Sequence, residues 1–275
     1  MTVAGRRRRP YARRVTTPTR LRREPPPLRP VHVIAREAIT PHLVSITLGG
    51  PELDGLDPGL PAASVRLLVP QDGELVLPAW NGNEFLLPDG TRPALRTLTP
   101  RRFRDDPPEL DVEVVLHGDG PLSTWAETVE PGAVAAVSGT GRGYTVDPSP
   151  EHYLLAGDET ALPAISVLLE ALPPAARVAV LLEVARPDAR FALPAHPGAT
   201  VAWHDLPPSG PPGAALEGAV TTADIDPAAR VWVAGEAAGV QRIRKHLFDE
   251  RGLARSQCTV RGYWKHGRAG SDALD

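Results

Sequence analysis

Two short stretches hold residues that could do chemistry together. In Leu154-Leu155-Ala156-Gly157-Asp158-Glu159-Thr160-Ala161-Leu162-Pro163, an apolar run from Tyr153 to Ala156 stops at Gly157. After a polar turn, an apolar segment from Ala161 to Leu172 is long enough for a helix, and Pro163 fits its first turn, where a missing N–H costs little. A strand that turns through glycine into a helix N-terminus is a common phosphate site, because free N–H groups and the helix dipole both favour an anion. Asp158 and Glu159 would repel one, so a bound phosphate is expected on the N–H side of the turn; otherwise the two acids serve the dipole themselves. The second stretch is Arg96-Thr97-Leu98-Thr99-Pro100-Arg101. An arginine at a strand end suits a pyrophosphate through charge-assisted hydrogen bonds.

The elements that must carry these residues change in texture along the chain. Val31–Ile34, Leu43–Leu48, Ser64–Val69 and Leu110–Leu116 are short β-rich runs separated by turn residues such as Gly49-Gly50 and Asp72-Gly73. Strands with little helix between them predict an antiparallel barrel or sandwich, with Pro121–Val129 as one short helix. From 152 onward, strands alternate with helices: 152–156, a helix at 160–172, then 178–183, 200–203 and 231–236. A further helix runs to Arg251, with Gly252 as its C-cap, and a last strand covers 259–263. Such alternation predicts a parallel sheet covered by helices. The expected organisation is therefore an α+β chain of two domains: an antiparallel β-barrel over 30–147 and an α/β domain over 151–268. A basic arm (1–29) precedes them and a tail (269–275) follows.

Composition narrows the function classes. The chain has 275 residues, 42% of them hydrophobic, enough for one large or two ordinary domains with packed cores. A net charge of −3 gives no overall pull toward nucleic acid or membrane, and neither is expected as a partner. No apolar run approaches the roughly 20 residues of a membrane span. The single cysteine, Cys258, excludes an intrachain disulfide, and with no export signal in view the cytoplasm is the expected compartment. The arm, with Arg6 to Arg9, Arg13, Arg14, Arg20, Arg22 and Arg23, lacks apolar periodicity and reads as a solvated tail.

Five stretches in order extend the two motifs: Arg96 to Arg101; Val115-Leu116-His117-Gly118; Trp125-Ala126 with Pro131-Gly132; Ala156 to Ile165; and Ala234-Gly235-Glu236 with Gly262-Tyr263-Trp264-Lys265. Together they resemble the siderophore-interacting protein family, flavin-dependent ferric-siderophore reductases distantly related to the ferredoxin–NADP⁺ reductase superfamily. The resemblance runs from Pro30 to Gly267. It implies an FAD-binding barrel, an NADPH-binding α/β domain, and electron flow from NADPH through FAD to chelated iron. It also implies a cytoplasmic enzyme whose small-molecule partner is a ferric siderophore; a monomer is expected. Other readings remain: a flavin reductase acting on a quinone or free flavin, or a siderophore carrier without turnover.

The same resemblance distributes roles. Arg96 would meet the FAD pyrophosphate and Thr99 the flavin N5 region, where hydride arrives, with Thr97 between them. Leu98 stands where the family has a tyrosine and offers apolar contact only. His117 would lie against FAD, while Gly118, Gly120, Ser123 and Thr124 would cradle its phosphates. The cluster Gly139-Thr140-Gly141-Arg142-Gly143 allows close approach to a ligand or serves as an interdomain turn, and Arg142 is a candidate for phosphate or an acidic siderophore. In the second domain, Gly157, Asp158, Glu159, Thr160 and Ala161, with Ala234, Gly235 and Glu236, would face the dinucleotide. Arg186 is a candidate for the 2′-phosphate that selects NADPH. Lys265 matches the family's terminal basic position and, with Arg261 and Arg66, would attract an anionic ferric chelate. No His/Cys/Asp cluster has ligand spacing for iron, so the iron is expected to arrive inside its chelator.

Overall fold

The computed structural model describes residues 25–267 apart from Asp72 and Asp119. The arginine-rich arm through residue 24 and the 269–275 tail lie outside the described residues. Strand β1 (Leu28–Thr40) begins within the span read as arm, and the Arg29 guanidinium donates to the Glu52 carbonyl at 2.6 Å.

β1 pairs with β2 (Leu43–Gly49) in a seven-stranded antiparallel sheet. The other members are β3 (Val65–Leu68), β6 (Leu95–Leu98), β7 (Pro100–Asp105), β8 (Pro108–Val115) and β9 (Val134–Ser138), in the order β6-β3-β9-β1-β2-β8-β7. A small hairpin, β4 (Ala79–Trp80) and β5 (Phe85–Leu86), sits apart. The sheet follows from alternation: Val44, Ile46 and Leu48 of β2 are buried while Ser45 and Thr47 between them are half-buried. Its end strands β6 and β7 do not pair, so the expected barrel is a half-barrel. Its open side lies at Thr99, the residue joining β6 to β7. Helix α1 (Pro121–Thr128) starts at a proline after Gly120 and follows β8.

The second sheet is parallel, in the order β12-β11-β10-β13-β14. Its strands are β10 (His152–Gly157), β11 (Arg177–Val184), β12 (Ala199–Asp205), β13 (Arg230–Glu236) and β14 (Cys258–Trp264). The central β10 and β13 are buried almost throughout, as strands covered on both faces must be. Helix α2 (Leu162–Ala171) covers one face with Leu162, Ile165, Leu168 and Leu169. Helices α3 (Ala214–Thr222) and α4 (Ala237–Lys245) cover the other through Leu216, Val220, Val240 and Ile243. A π-turn, His246–Glu250, continues α4 toward the left-handed Gly252. The order of strands and helices matches the sequence reading, with β7, β9, the β4–β5 hairpin and α3 added.

The linker is fixed rather than loose. The Gly141 N–H donates to the Ser64 carbonyl, the Tyr144 N–H to the Pro61 carbonyl, and Arg230 pairs with Asp147 at 2.6 Å. The Tyr153 hydroxyl donates to the Asp147 carbonyl. Ser149 and Arg230 hold the Asp147 carboxyl down at about 2.

Candidate functional site

The two sheets meet where the half-barrel opens toward the carboxyl ends of the parallel strands. Thr99 is buried at this junction, close to the hydroxyl of Tyr263 from β14. Burial pushes the Tyr263 hydroxyl up to about 12, so it is a neutral partner at physiological pH. The next residue, Trp264, turns its ring toward His117, which follows β8: the centroids are 6.4 Å apart and the planes 27° from parallel. His266 lies edge-on to Trp264 at 6.3 Å. Two aromatic side chains from different domains thus face each other where the two sheets meet.

Arg96 stands two residues before Leu98 on the same face of β6, opposite Leu67 in the β3–β6 ladder. Its guanidinium is half-buried and donates only to the neighbouring Leu95 carbonyl at 3.1 Å; no acidic partner is present among the described residues. Desolvation pulls its pKa down. A half-desolvated cation without an anion is a place where one can bind. Leu98 packs against the barrel core, so the residue in the family's tyrosine position is absorbed into packing. Thr97 is exposed and lies opposite the half-buried Arg66. Gly118 and Gly120 face open space, where an added Cβ would meet nothing within 4 Å, and Thr124 is exposed beside them. Ser123 differs from expectation. It is buried, and its hydroxyl oxygen accepts from the His117 N–H at 2.9 Å, closing the β8–α1 loop.

The first turn of the parallel domain departs from the sequence reading most. The Asp158 carboxylate folds back into it: Oδ1 accepts from Thr160 N at 3.0 Å and Thr160 Oγ1 at 2.6 Å. Oδ2 accepts from Glu236 N at 2.8 Å and Trp264 Nε1 at 2.7 Å. The donors expected to receive a phosphate already serve an internal anion, which is buried. Burial pushes the Asp158 carboxyl above the usual carboxylate range, against the pull of these donors. Gly157 is a glycine for packing rather than for ligand approach: a Cβ there would lie 2.4 Å from that of Ala161. Ala161 and Ala234 are fully buried core residues. Glu236 is buried and caps α4 by accepting from Gly239 N at 2.9 Å, while its other oxygen accepts from His266 N at 3.2 Å. Gly235, at φ 153°, leaves room for Asp158, since a Cβ would stand 2.7 Å from Oδ2. Glu159 is turned to the Ala185 N–H at 2.7 Å.

Other expected site residues are tied to the protein itself. The Arg186 guanidinium donates to His42 Nδ1 at 3.0 Å across the domain boundary, and His42 in turn meets Asp188 at 3.1 Å. Arg261 donates to the Gly143 carbonyl at 3.0 Å and so holds the linker. The glycine cluster is packed on its own chain: a Cβ at Gly141 would lie 2.7 Å from Ser64 Oγ, and one at Gly143 2.5 Å from the Leu60 Cβ. Of the cationic candidates, Lys265 and Arg142 are exposed.

One feature of the junction escaped sequence reasoning. Arg101, on β7, forms a bidentate pair with Glu170 of α2 at 2.8 and 2.9 Å and lies 3.4 Å from Glu113 of β8. Glu113 is 8% exposed, its Oε2 has no partner, and burial pushes its carboxyl up. Among the described residues no His/Cys/Asp/Glu group could hold a metal ion, and no helix is long and apolar enough to cross a membrane.

With this geometry in place, comparison with known proteins is informative. The siderophore-interacting protein family matches residues 150–267, and the siderophore-interacting FAD-binding domain matches residues 32–143. A siderophore utilization protein from T. fusca is 35% identical, with a TM-score of 0.79 over 90% of this chain and 97% of that one. The siderophore-interacting protein SipS from Aeromonas hydrophila is 32% identical, with a TM-score of 0.71 over 88% of this chain and 100% of that one. A ferric vibriobactin reductase of Vibrio cholerae is 28% identical over 86% of this chain and 88% of its own length.

Proposed function

The chain belongs to the siderophore-interacting protein family, and from that premise we propose that it reduces ferric siderophores in the cytoplasm, with NADPH as electron donor and FAD as carrier. The observation that carries this reading is the half-buried Arg96 guanidinium without an anionic partner, in the part of the chain matched by the FAD-binding domain. The surrounding residues fit the cofactor. Arg96 supplies charge for a diphosphate, the open Gly118–Gly120 backbone and Thr124 supply room and donors, and His117 and Trp264 supply flat aromatic faces. Bound there, FAD would supply the exchange between a two-electron hydride donor and single-electron delivery, which would let one NADPH serve two ferric chelates.

The protein's own residues bind and orient. Tyr263, held neutral by burial, places an uncharged hydroxyl close to Thr99. Lys265 and Arg142 place positive charge on the exposed rim, where an anionic chelate is drawn in by long-range attraction. Arg186, two residues past β11 and bonded among the described residues to the His42 ring, is the cation available to a 2′-phosphate. Dinucleotide phosphates would lie away from the Gly157–Thr160 turn, whose donors serve Asp158. No side chain needs to act as a general acid: hard oxygen ligands grip Fe³⁺ better than Fe²⁺, so electron delivery alone loosens the chelate.

The test is direct. Purified protein should bind FAD, lose its yellow colour anaerobically on addition of NADPH, and recover it when a ferric siderophore is added. A protein that binds ferric siderophore but takes up no flavin would be a carrier. One that is reoxidised by quinone and not by ferric chelates would be a reductase for another acceptor.

A further inference from the structure

We propose that Asp158 is a positioning residue for the cleft, acting through Trp264: its carboxylate occupies the anion position at the carboxyl edge of the parallel sheet and fixes the indole opposite His117. The inference rests on the reductase reading above and extends it to a residue that never meets the cofactor.

Three observations carry it. First, an ionised carboxylate is satisfied by about four hydrogen bonds, and Asp158 receives four, from three separate segments. Thr160 belongs to its own turn, Glu236 to the end of β13 and Trp264 to the end of β14. One buried group thereby sets the spacing of three strand ends. Second, the bond to Trp264 is made by the only polar atom of that side chain, at the short distance of 2.7 Å. Strand β14 fixes the backbone; the Nε1–H bond fixes the roll of the ring. Third, the surroundings are shaped around this bond. Gly235 leaves the space Oδ2 needs, and the His117 ring lies 27° from parallel to the indole. The backbone of His266 is held by Glu236, whose own N–H is bonded to Asp158. An acid buried only to cap a turn would need Thr160 alone. The reach to Trp264 points to a role for the ring's placement.

The experiment is a double-mutant cycle on FAD affinity, measured by titrating flavin-free protein and following flavin fluorescence, with thermal unfolding recorded alongside. Trp264→Phe keeps an aromatic ring and deletes the N–H. Asp158→Asn presents an amide to two donors whichever way it turns. Each single variant should weaken FAD binding at least about fivefold, and the double variant should be no weaker than Asp158→Asn within about twofold, because both remove the same bond. Should Asp158→Asn fail to fold, Asp158→Glu takes its place in the cycle. Single effects that multiply in the double variant would overturn the proposal, as would wild-type affinity in Trp264→Phe. Wild-type protein that binds no FAD would overturn the reductase reading itself, and this proposal with it. Wild-type protein that binds FAD alongside variants that match it would overturn the positioning role alone.

Discussion

Replacing Arg101 by methionine should strand a carboxylate between the two domains. The arginine side chain is 14% exposed and lies between Glu113, 8% exposed, and Glu170, 43% exposed. These exposures decide which partner matters. The Glu170 arm faces water and is worth no more than about 1 kcal/mol despite its bidentate geometry. Glu113 is different, because removing one member of a buried pair costs about 3–5 kcal/mol, and its Oε2 already lacks a partner. Each kcal/mol moves Tm by about 2–4 °C in a chain of this size, so Arg101→Met should lower Tm by about 10 °C near pH 8. The loss should depend on pH. A carboxyl raised by burial binds its proton more tightly in the folded state, and its stability contribution falls as pH rises from the unfolded pKa through the folded one. Losing Arg101 raises Glu113 further, so lowering the pH should progressively remove the stranded charge and recover part of the lost stability. Glu113→Gln in the Arg101→Met background should recover most of it at every pH. Calorimetry of the four proteins over a range of pH is the assay. A loss of equal size at all pH values, or no recovery in the double variant, would show that Arg101 does not neutralise Glu113.

Three further outcomes follow from the cleft. Arg96→Ala should weaken FAD binding about ten- to a hundredfold, the value of a charged hydrogen bond of roughly 1.5–3 kcal/mol, as read by fluorescence titration; unchanged affinity would remove Arg96 from the phosphate site. Lys265→Ala should raise KM for an anionic ferric siderophore, more at low salt than at high, and leave the rate of flavin reduction by NADPH unchanged. Stopped-flow measurement of the two half-reactions separates these, and slowed flavin reduction would move Lys265 to the nicotinamide side. Arg186→Ala should erase a preference for NADPH over NADH in steady-state rates; equal use of both donors by wild type would refute the preference.

Much of the fold was legible because burial on one or two faces writes a period into the sequence. Val44, Ile46 and Leu48 alternate with polar neighbours, and Leu154 to Ala156 run unbroken, so β2 and β10 could be read directly. Strand β7, Pro-Arg-Arg-Phe-Arg-Asp, could not, since its charges are satisfied by acids that only the folded hairpin and α2 bring beside them, Glu109 and Asp111 on β8 and Glu170 on α2. Helix α3 was missed for a related reason. Its small residues give a weak apolar stripe, and its first turn is held by the Glu183 carboxylate, which accepts from Gly213 N and Leu216 N at 2.7 and 2.9 Å. At the site, the positions of Thr99, His117 and the Gly-Tyr-Trp-Lys end were visible as motifs. Their partners were not, because an aspartate that fills an anion site and one that merely precedes a helix have the same local sequence. The glycines at 139–143 left two readings open for the same reason: crowding by the Leu60–Ser64 loop and crowding by a ligand select the same residue.

The strand order also sets a timetable. β1 can complete its pairing only when β9 exists, yet β9 ends at Ser138, before β10 begins at His152. Synthesised from the N-terminus, the antiparallel sheet therefore has all its strands while the parallel sheet has none, and domains generally fold as units in that order. The cleft keeps a different schedule, since Tyr263 and Trp264 come from β14, the last strand made. At about 5–20 residues per second, a finished half-barrel presents Thr99, His117 and Arg96 with nothing opposite them for on the order of ten seconds. In that interval the face that meets Trp264 in the complete protein is open to solvent.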